Sequence, residues 1–392
     1  MSNNDELTLN LLIIGQTGVG KSSLINALFG KEVAKAGAGK PITTHINKYE
    51  TELDGKKVNL YDSMGFEVDK EECIIDINNA LKEKGIDKDI KDWFHSITYC
   101  IQAGGLKIQD FDIKMIKQFT DKKYNVIIAL TKADQIDEEK EKEFIEIIKK
   151  EIKKDTETDI MVIPISANPQ KLRGMTEAPK PFGLPEYKAA ILISWREIFI
   201  NRIPNHIIEI LKEDIKNAKI NAPKKGKGKE LSNKIQEYFS DILNKNIQKY
   251  IRESVEKYYK ITVDILTASK NINLSNKELD LNFYSRMDND GTVEFFSWIF
   301  SDFEYYDIGD RIKLILVASL GAIPMAILEF GIIRPLEFLV HLMEKGEKIE
   351  KFINDVSEEY IKKISEKEFE SEIRKVIIDT LNEIDKKTIK LN

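Results

Sequence analysis

In the first half of the chain, short apolar runs alternate with amphipathic stretches. Leu7–Ile14, Asn125–Leu130 and Ile160–Ile165 are nearly uninterrupted apolar segments of strand length, the pattern of strands buried on both faces. Ile46–Leu53 and Lys57–Tyr61 also read as strands, and Asp54-Gly55 between them is a hairpin signal. Leu24–Phe29 is amphipathic and reads as the start of a helix. After about residue 203 the period changes. His206–Lys219 and Lys229–Ser269 carry apolar residues at three-and-four spacing (Ile235, Tyr238, Phe239, Ile242, Leu243, Ile247), and Glu347–Lys390 reads as a third long, charged helical region. Pro185–Ile203 reads as the last helix of the first domain, with Pro204 interrupting it. The pattern predicts an α/β domain with a doubly wound, mostly parallel sheet over residues 1–203 and an all-helical domain over 204–392.

The most apolar stretch, Leu314–Leu328, lies between Lys313 and Glu329. A helix of that length falls short of the roughly 30 Å hydrocarbon thickness, and Pro324 breaks it. Apolar character resumes in Phe330–Met343 but is interrupted by Arg334, Pro335 and Glu337. A transmembrane span is not expected. Two readings of segment 312–343 stand: central helices of a bundle, or a hairpin that contacts a membrane, for which Trp298, Phe303, Tyr305 and Tyr306 are compatible interface residues. The basic loop Ala222–Lys229 reads first as a solvated turn and second as a contact for anionic lipid or phosphate.

At 392 residues the chain has room for two cores. Its 42% hydrophobic and 32% charged residues describe a soluble globular protein, and the net charge of −6 gives no basic field to recruit nucleic acid. Two cysteines, Cys73 and Cys100, form no metal spacing or disulfide framework, which suits a reducing compartment. Met1–Glu6 is polar, so a cytoplasmic protein is expected, or one peripheral to a membrane.

The chemistry begins directly after the first strand, where residues 15–23 read GQTGVGKSS. Strand, glycine-rich loop and helix start occur in the order a phosphate-binding loop requires. Gly15, Gly18, Val19 and Gly20 bring backbone N–H groups toward phosphate oxygens at the N-terminus of the next helix. Lys21 reaches the β- and γ-phosphates, and Ser22 (beside Ser23) offers a hydroxyl to Mg²⁺. The ligand class is therefore a nucleoside triphosphate with Mg²⁺. Further signals lie at the carboxyl ends of later strands, where ligands bind in open α/β sheets: Asp62-Ser63-Met64-Gly65, Thr131-Lys132-Ala133-Asp134 and Ser166-Ala167.

In that order, with Thr43 and Thr44 between the first two, these motifs match the five boxes of the P-loop GTPases, and residues 7–200 resemble the translation-factor class. The resemblance implies that Thr43 or Thr44 closes over the γ-phosphate and Mg²⁺, and that Asp62 holds Mg²⁺ through water. The Gly65 amide would sense the γ-phosphate, and Asp134 would read guanine. A carboxylate suits guanine, whose N1–H and N2 amine are adjacent donors that adenine lacks. Lys132 would lay its stem along the base, and the Ala167 amide would meet the guanine carbonyl. The competing reading of Asp134 is an ordinary helix cap. Many Ras-like enzymes place Gln after DxxG to orient the attacking water; here that place holds Phe66. Water positioning then falls to Gln16, Thr17, His45, a partner or a second copy. On this point the chain resembles Era-like, septin-like, dynamin-like and immunity-related GTPases. The resemblance implies GTP hydrolysis to GDP and phosphate, slow unless stimulated, and self-assembly or partner or membrane engagement through the helical domain. The alternative is a slow switch that docks a protein partner.

Overall fold

The computed structural model describes residues 8–29, 40–41, 46–53, 56–63, 71–171, 177–267 and 348–389. These fall into two compact units. The first runs to Asn201 and takes in Tyr259–Thr267; the second comprises Arg202–Tyr258 and the residues from 348 on.

The first unit is built on a seven-stranded sheet: β1 (Leu9–Gly15), β2 (Lys40–Pro41), β3 (Ile46–Leu53), β4 (Lys56–Ser63), β5 (Ser96–Gln102), β6 (Val126–Thr131) and β7 (Met161–Ile165). The strand order is β2-β3-β4-β1-β5-β6-β7. β4, β1, β5, β6 and β7 are mutually parallel, while β2 and β3 form an antiparallel edge. Every residue of β1 and β6 is buried, which explains their continuous apolar runs. The hairpin signal at Asp54-Gly55 lies outside the described residues, but the strands on either side pair from Ile46↔Ser63 to Leu53↔Lys56.

Helices α1 (Lys21–Phe29), α2 (Glu71–Glu83), α3 (Asp110–Thr120) and α4 (Glu138–Thr156) connect the strands. α4 shows why such a charged sequence is helical. Phe144, Ile148 and Ile152 recur every fourth residue and are at most 1% exposed. Asp137 caps the helix by accepting the Lys140 N–H at 2.9 Å. β1 lies between β4 on one side and β5 on the other, so the strand order reverses at its carboxyl end. That is the topological switch point, where an open α/β sheet opens a crevice for ligands.

α5 runs unbroken from Leu184 to Ala218 with Pro204 inside it. This corrects the expected break at Pro204. The proline removes one N–H from the ladder, but Ile203 and Ile207 on either side are fully buried, and their burial outweighs one missing rung. The second unit is helical: the end of α5, α6 (Gly228–Thr267) as far as Tyr258, α7 (Ile349–Ile364) and α8 (Lys367–Ile389). The expected single helical region over 347–390 is two helices, separated at Ser365–Glu366. α6 buries Leu231, Ile235, Phe239, Leu243, Ile247, Ile251 and Val255 at four-residue intervals. Phe239 faces Tyr360 of α7 with ring centroids 6.1 Å apart, and the Tyr360 hydroxyl donates to the Gln236 carbonyl at 3.2 Å. Among the described residues no helix is long and apolar enough to cross a membrane. Segment 312–343, with both of its readings, lies outside the described residues.

Candidate functional site

The loop from Gly15 to Gly20 leaves β1 at the switch point and ends on the first turn of α1. Gly15 is obligatory on steric grounds: a Cβ there would stand 2.6 Å from the Cys100 carbonyl oxygen on β5. Gly20 has φ +105, a backbone conformation L side chains rarely adopt. Four carbonyls of the loop are held by side-chain donors. Lys21 Nζ donates to the Gly15 and Gln16 oxygens at 2.8 and 2.9 Å. Lys132 Nζ donates to the Gly18 oxygen at 2.8 Å, and the Thr131 hydroxyl donates to the Val19 oxygen with the Ile101 oxygen 3.1 Å away. In a trans peptide the N–H points opposite to the C=O. Pinning these carbonyls therefore turns the amides that follow them the other way, into the concavity that would receive an anion.

Lys21 is buried, and burial pushes its ammonium below the ordinary lysine value, with Cys100 and Asp62 opposing the shift. Burial likewise pushes the Asp62 carboxyl up to about 6, with Lys21 opposing. Asp62 stands at the end of β4, in register with Ile13. Its Oδ1 is buried and has no hydrogen-bond partner among the described residues. The Ser22 hydroxyl is on an exposed residue in the first turn of α1. A hydroxyl and an orphaned carboxylate oxygen are the hard donors that Mg²⁺ takes, so the residues present fit that ion.

Beside the loop opens a cavity of about 230 Å³, lined by Gly20, Ser23, Thr131, Lys132, Asp134 and Ala167 together with Gln135, Ile165, Asn168 and Gln170. Lys132 has φ 55, and its ammonium bonds the Gly18 oxygen of the loop and lies 3.3 Å from Gln102 Oε1. Asp134 sits in a single 3₁₀ turn, Ala133–Gln135, and is not the cap of α4; that is Asp137. Instead, the Ser166 hydroxyl donates to Asp134 Oδ1 at 2.6 Å. Ser166 is itself fixed by a two-way backbone bridge to Phe182, with both N···O distances 3.1 Å. The carboxylate is thus oriented by one donor and keeps lone pairs for others.

Sequence-derived candidates from three separate strand ends converge here: Gly15, Gly18, Val19, Gly20, Lys21, Ser22 and Ser23 from the loop, Thr131, Lys132 and Asp134 after β6, and Ser166 and Ala167 after β7. The side-chain amide of Gln16 donates to Asp112 Oδ1 at 2.8 Å. Thr17 is exposed on the loop. Thr43, Thr44, His45, Gly65 and Phe66 lie outside the described residues. Gln135, Asn168 and Gln170 were not anticipated. Their only signal is adjacency to the TKAD and SA boxes.

The sequence model of a family described as "50S ribosome-binding GTPase" matches residues 10–163. Among curated proteins the chain is similar to human neuronal-specific septin-3, with 25% identity over 232 residues, covering 51% of this chain and 63% of that protein. It is also similar to cell division control protein 10 of Saccharomyces cerevisiae, with 26% identity over 170 residues, covering 37% of this chain and 52% of that protein. The chain therefore spans between half and two thirds of the length of these relatives. Among solved structures it is similar to Toc33 from Arabidopsis thaliana in complex with Mg²⁺ and GMPPNP, at 17% identity and a TM-score of 0.37, covering 50% of this chain and 87% of that one. The family match covers the loop, the DxxG and TKAD boxes and most of the sheet that carries them, ending inside β7: residues 10–163 of this chain are a P-loop GTPase domain.

Proposed function

We propose that the chain binds GTP across the loop and the Asp134 cavity and hydrolyses it to GDP and phosphate, slowly in the isolated protein and faster when two copies or a partner meet. The observation that carries the base preference is the Asp134 carboxylate, aimed by Ser166 at 2.6 Å and lining the cavity beside the phosphate loop. Guanine offers that carboxylate two adjacent N–H donors. Adenine leaves it unpaired, and a site built to hydrogen-bond one ligand rejects its unmatched analogue by up to about 10⁴-fold.

In this reading Lys21 gives the β- and γ-phosphates a positive charge that its two carbonyl contacts already orient. Arrival of the phosphates would also oppose the downward shift that burial imposes on its ammonium. Ser22 and Asp62 would hold Mg²⁺, which when bound supplies charge neutralisation at the phosphate oxygens, and Thr43 or Thr44 would join them. Loss of the γ-phosphate would release the segments about 36–46 and 63–75, including the Gly65 amide, and the helical domain would read that change as self-assembly or partner capture. Two features support stimulation from outside. Phe66 offers no hydrogen bond to water, and the Gln16 amide is already engaged by Asp112.

Calorimetry of the intact protein with GTP, GDP and ATP tests the binding. The expected result is heat with both guanine nucleotides, none with ATP, and a shift toward xanthosine triphosphate in Asp134→Asn. Absence of heat with GTP and GDP would refute the proposal. Light scattering with GDP against a non-hydrolysable GTP analogue tests the assembly, which is expected only with the analogue.

A further inference from the structure

Asp112 is a buried carboxylate outside the GTPase boxes, 4% exposed, in the first turn of α3. Its two oxygens have different partners. Oδ2 accepts the backbone N–H of Gln109 at 2.9 Å, an ordinary helix-capping contact. Oδ1 does something a cap does not require. It accepts the Tyr99 hydroxyl of β5 at 2.6 Å and the Gln16 side-chain amide of the phosphate loop at 2.8 Å. Tyr99 is fully buried, and burial followed by the Asp112 charge raises its hydroxyl well above the usual range, so it stays a donor. Gln16 is the loop residue whose backbone carbonyl holds Lys21 Nζ at 2.9 Å.

From this connected set we infer that Asp112 is a positioning residue for nucleotide binding. It grips Gln16 by the side chain and thereby fixes the peptide that aims Lys21 at the phosphates. The inference rests on the reading of this loop as a nucleotide site, and it assigns Gln16 to holding the loop rather than to orienting the attacking water. The other three pinned carbonyls need no help from outside the GTPase boxes: Gly15 is held by Lys21, Gly18 by Lys132 and Val19 by Thr131. Gln16 ties the loop by its side chain to α3. A hydrogen bond to an ionised acceptor is stronger than a neutral one, and its loss is expected to matter by about tenfold.

The test compares wild type, Gln16→Met, Asp112→Ala and the double variant. It measures release of a fluorescent GDP and single-turnover GTP hydrolysis in the full chain, with thermal melting as the folding control. Gln16→Met keeps the side chain's length and leaves the helix cap alone, so it reports even where Asp112→Ala fails to fold. The expected result is GDP release about tenfold faster in either single variant and no faster in the double, because both break one contact. Unchanged release with a fall only in the hydrolysis rate of Gln16→Met would overturn the inference and return Gln16 to the water. Effects of the two substitutions that multiply would overturn it as well. If wild type itself takes up no labelled GDP, it is the nucleotide reading that fails.

Discussion

His95 gives the structure a dependence on pH that can be worked out in advance. It is fully buried immediately before β5, with its ring edge-on to Trp195 at a centroid distance of 4.9 Å. Nδ1 lies 3.0 Å from the backbone N–H of Asn10 and must accept from it; Nε2 lies 3.1 Å from the Ile90 carbonyl and must donate to it. These partners fix the neutral Nε2–H tautomer. Protonation would set a second N–H against that of Asn10. Burial accordingly pushes the His95 pKa down to about 4, with the Ile90 contact opposing and Lys84 adding slightly to the fall. An unfolded histidine titrates near 6.5. Below that value the unfolded chain takes up a proton that the folded chain refuses, so stability is intact above about pH 6.5 and is lost as pH falls toward 4. At pH 5 the lost contribution is about 2 kcal/mol, and the full gap corresponds to about 3.4 kcal/mol.

Urea unfolding followed by tryptophan fluorescence at pH 7 and pH 5 reads this, because Trp93 and Trp195 are fully buried and Trp195 packs against His95. His95→Gln keeps an acceptor and a donor but has no proton to gain. It is expected to be the less stable protein at pH 7, having lost the ring contact. The gap between the two proteins is then expected to narrow by about 2 kcal/mol at pH 5. Asp62 works in the opposite direction: its raised pKa means the folded state protonates first, so its contribution rises as pH falls through 6. Asp62 is present in both proteins and cancels in the comparison. A gap independent of pH would refute the reasoning.

In the proposed reading Lys21 meets the phosphates, so in Lys21→Ala GTP and GDP binding is expected to fall below calorimetric detection, while Leu24, Ile25 and Leu28 keep α1 packed and the melting temperature changes little. Gly183 has φ +82, and a Cβ there would lie 2.1 Å from the Pro164 carbonyl oxygen. Gly183→Ala is therefore expected to cost about 1–3 kcal/mol in denaturant unfolding, and to weaken GTP affinity because the Ser166–Phe182 bridge lies next to it. Phe239→Ala empties a fully buried position against Tyr360 and is expected to cost about 3–5 kcal/mol in the unfolding of the helical unit.

What could be read in the chain beforehand, and what could not, divides along the range of the interactions. Strands β1, β6 and β7 are continuous apolar runs, and the loop after β1 is written in its glycines and Lys21, because those features are local. Pro204 misled because proline's effect is local while the burial of Ile203 and Ile207, which offsets it, is not. β5 carries no such mark, because the residues after it, Ala103-Gly104, form no motif. Yet β5 lies beside β1 and supplies both the Cys100 carbonyl that forces glycine at position 15 and the Tyr99 hydroxyl that meets Asp112. Asp112 was illegible for the same reason. In sequence it is one acid among several at the head of an amphipathic helix, where acids usually face water. Its partners are 13 and 96 residues away, so only the closed sheet shows it to be buried. In the proposed reading the boxes name the groups that would touch the nucleotide, whereas Tyr99 and Asp112, which would steady the loop, come from elements without a motif. In the proposed reading, exchanging the contact at position 112 should alter nucleotide retention while leaving the choice of base, assigned there to the Asp134–Ser166 pair, unchanged.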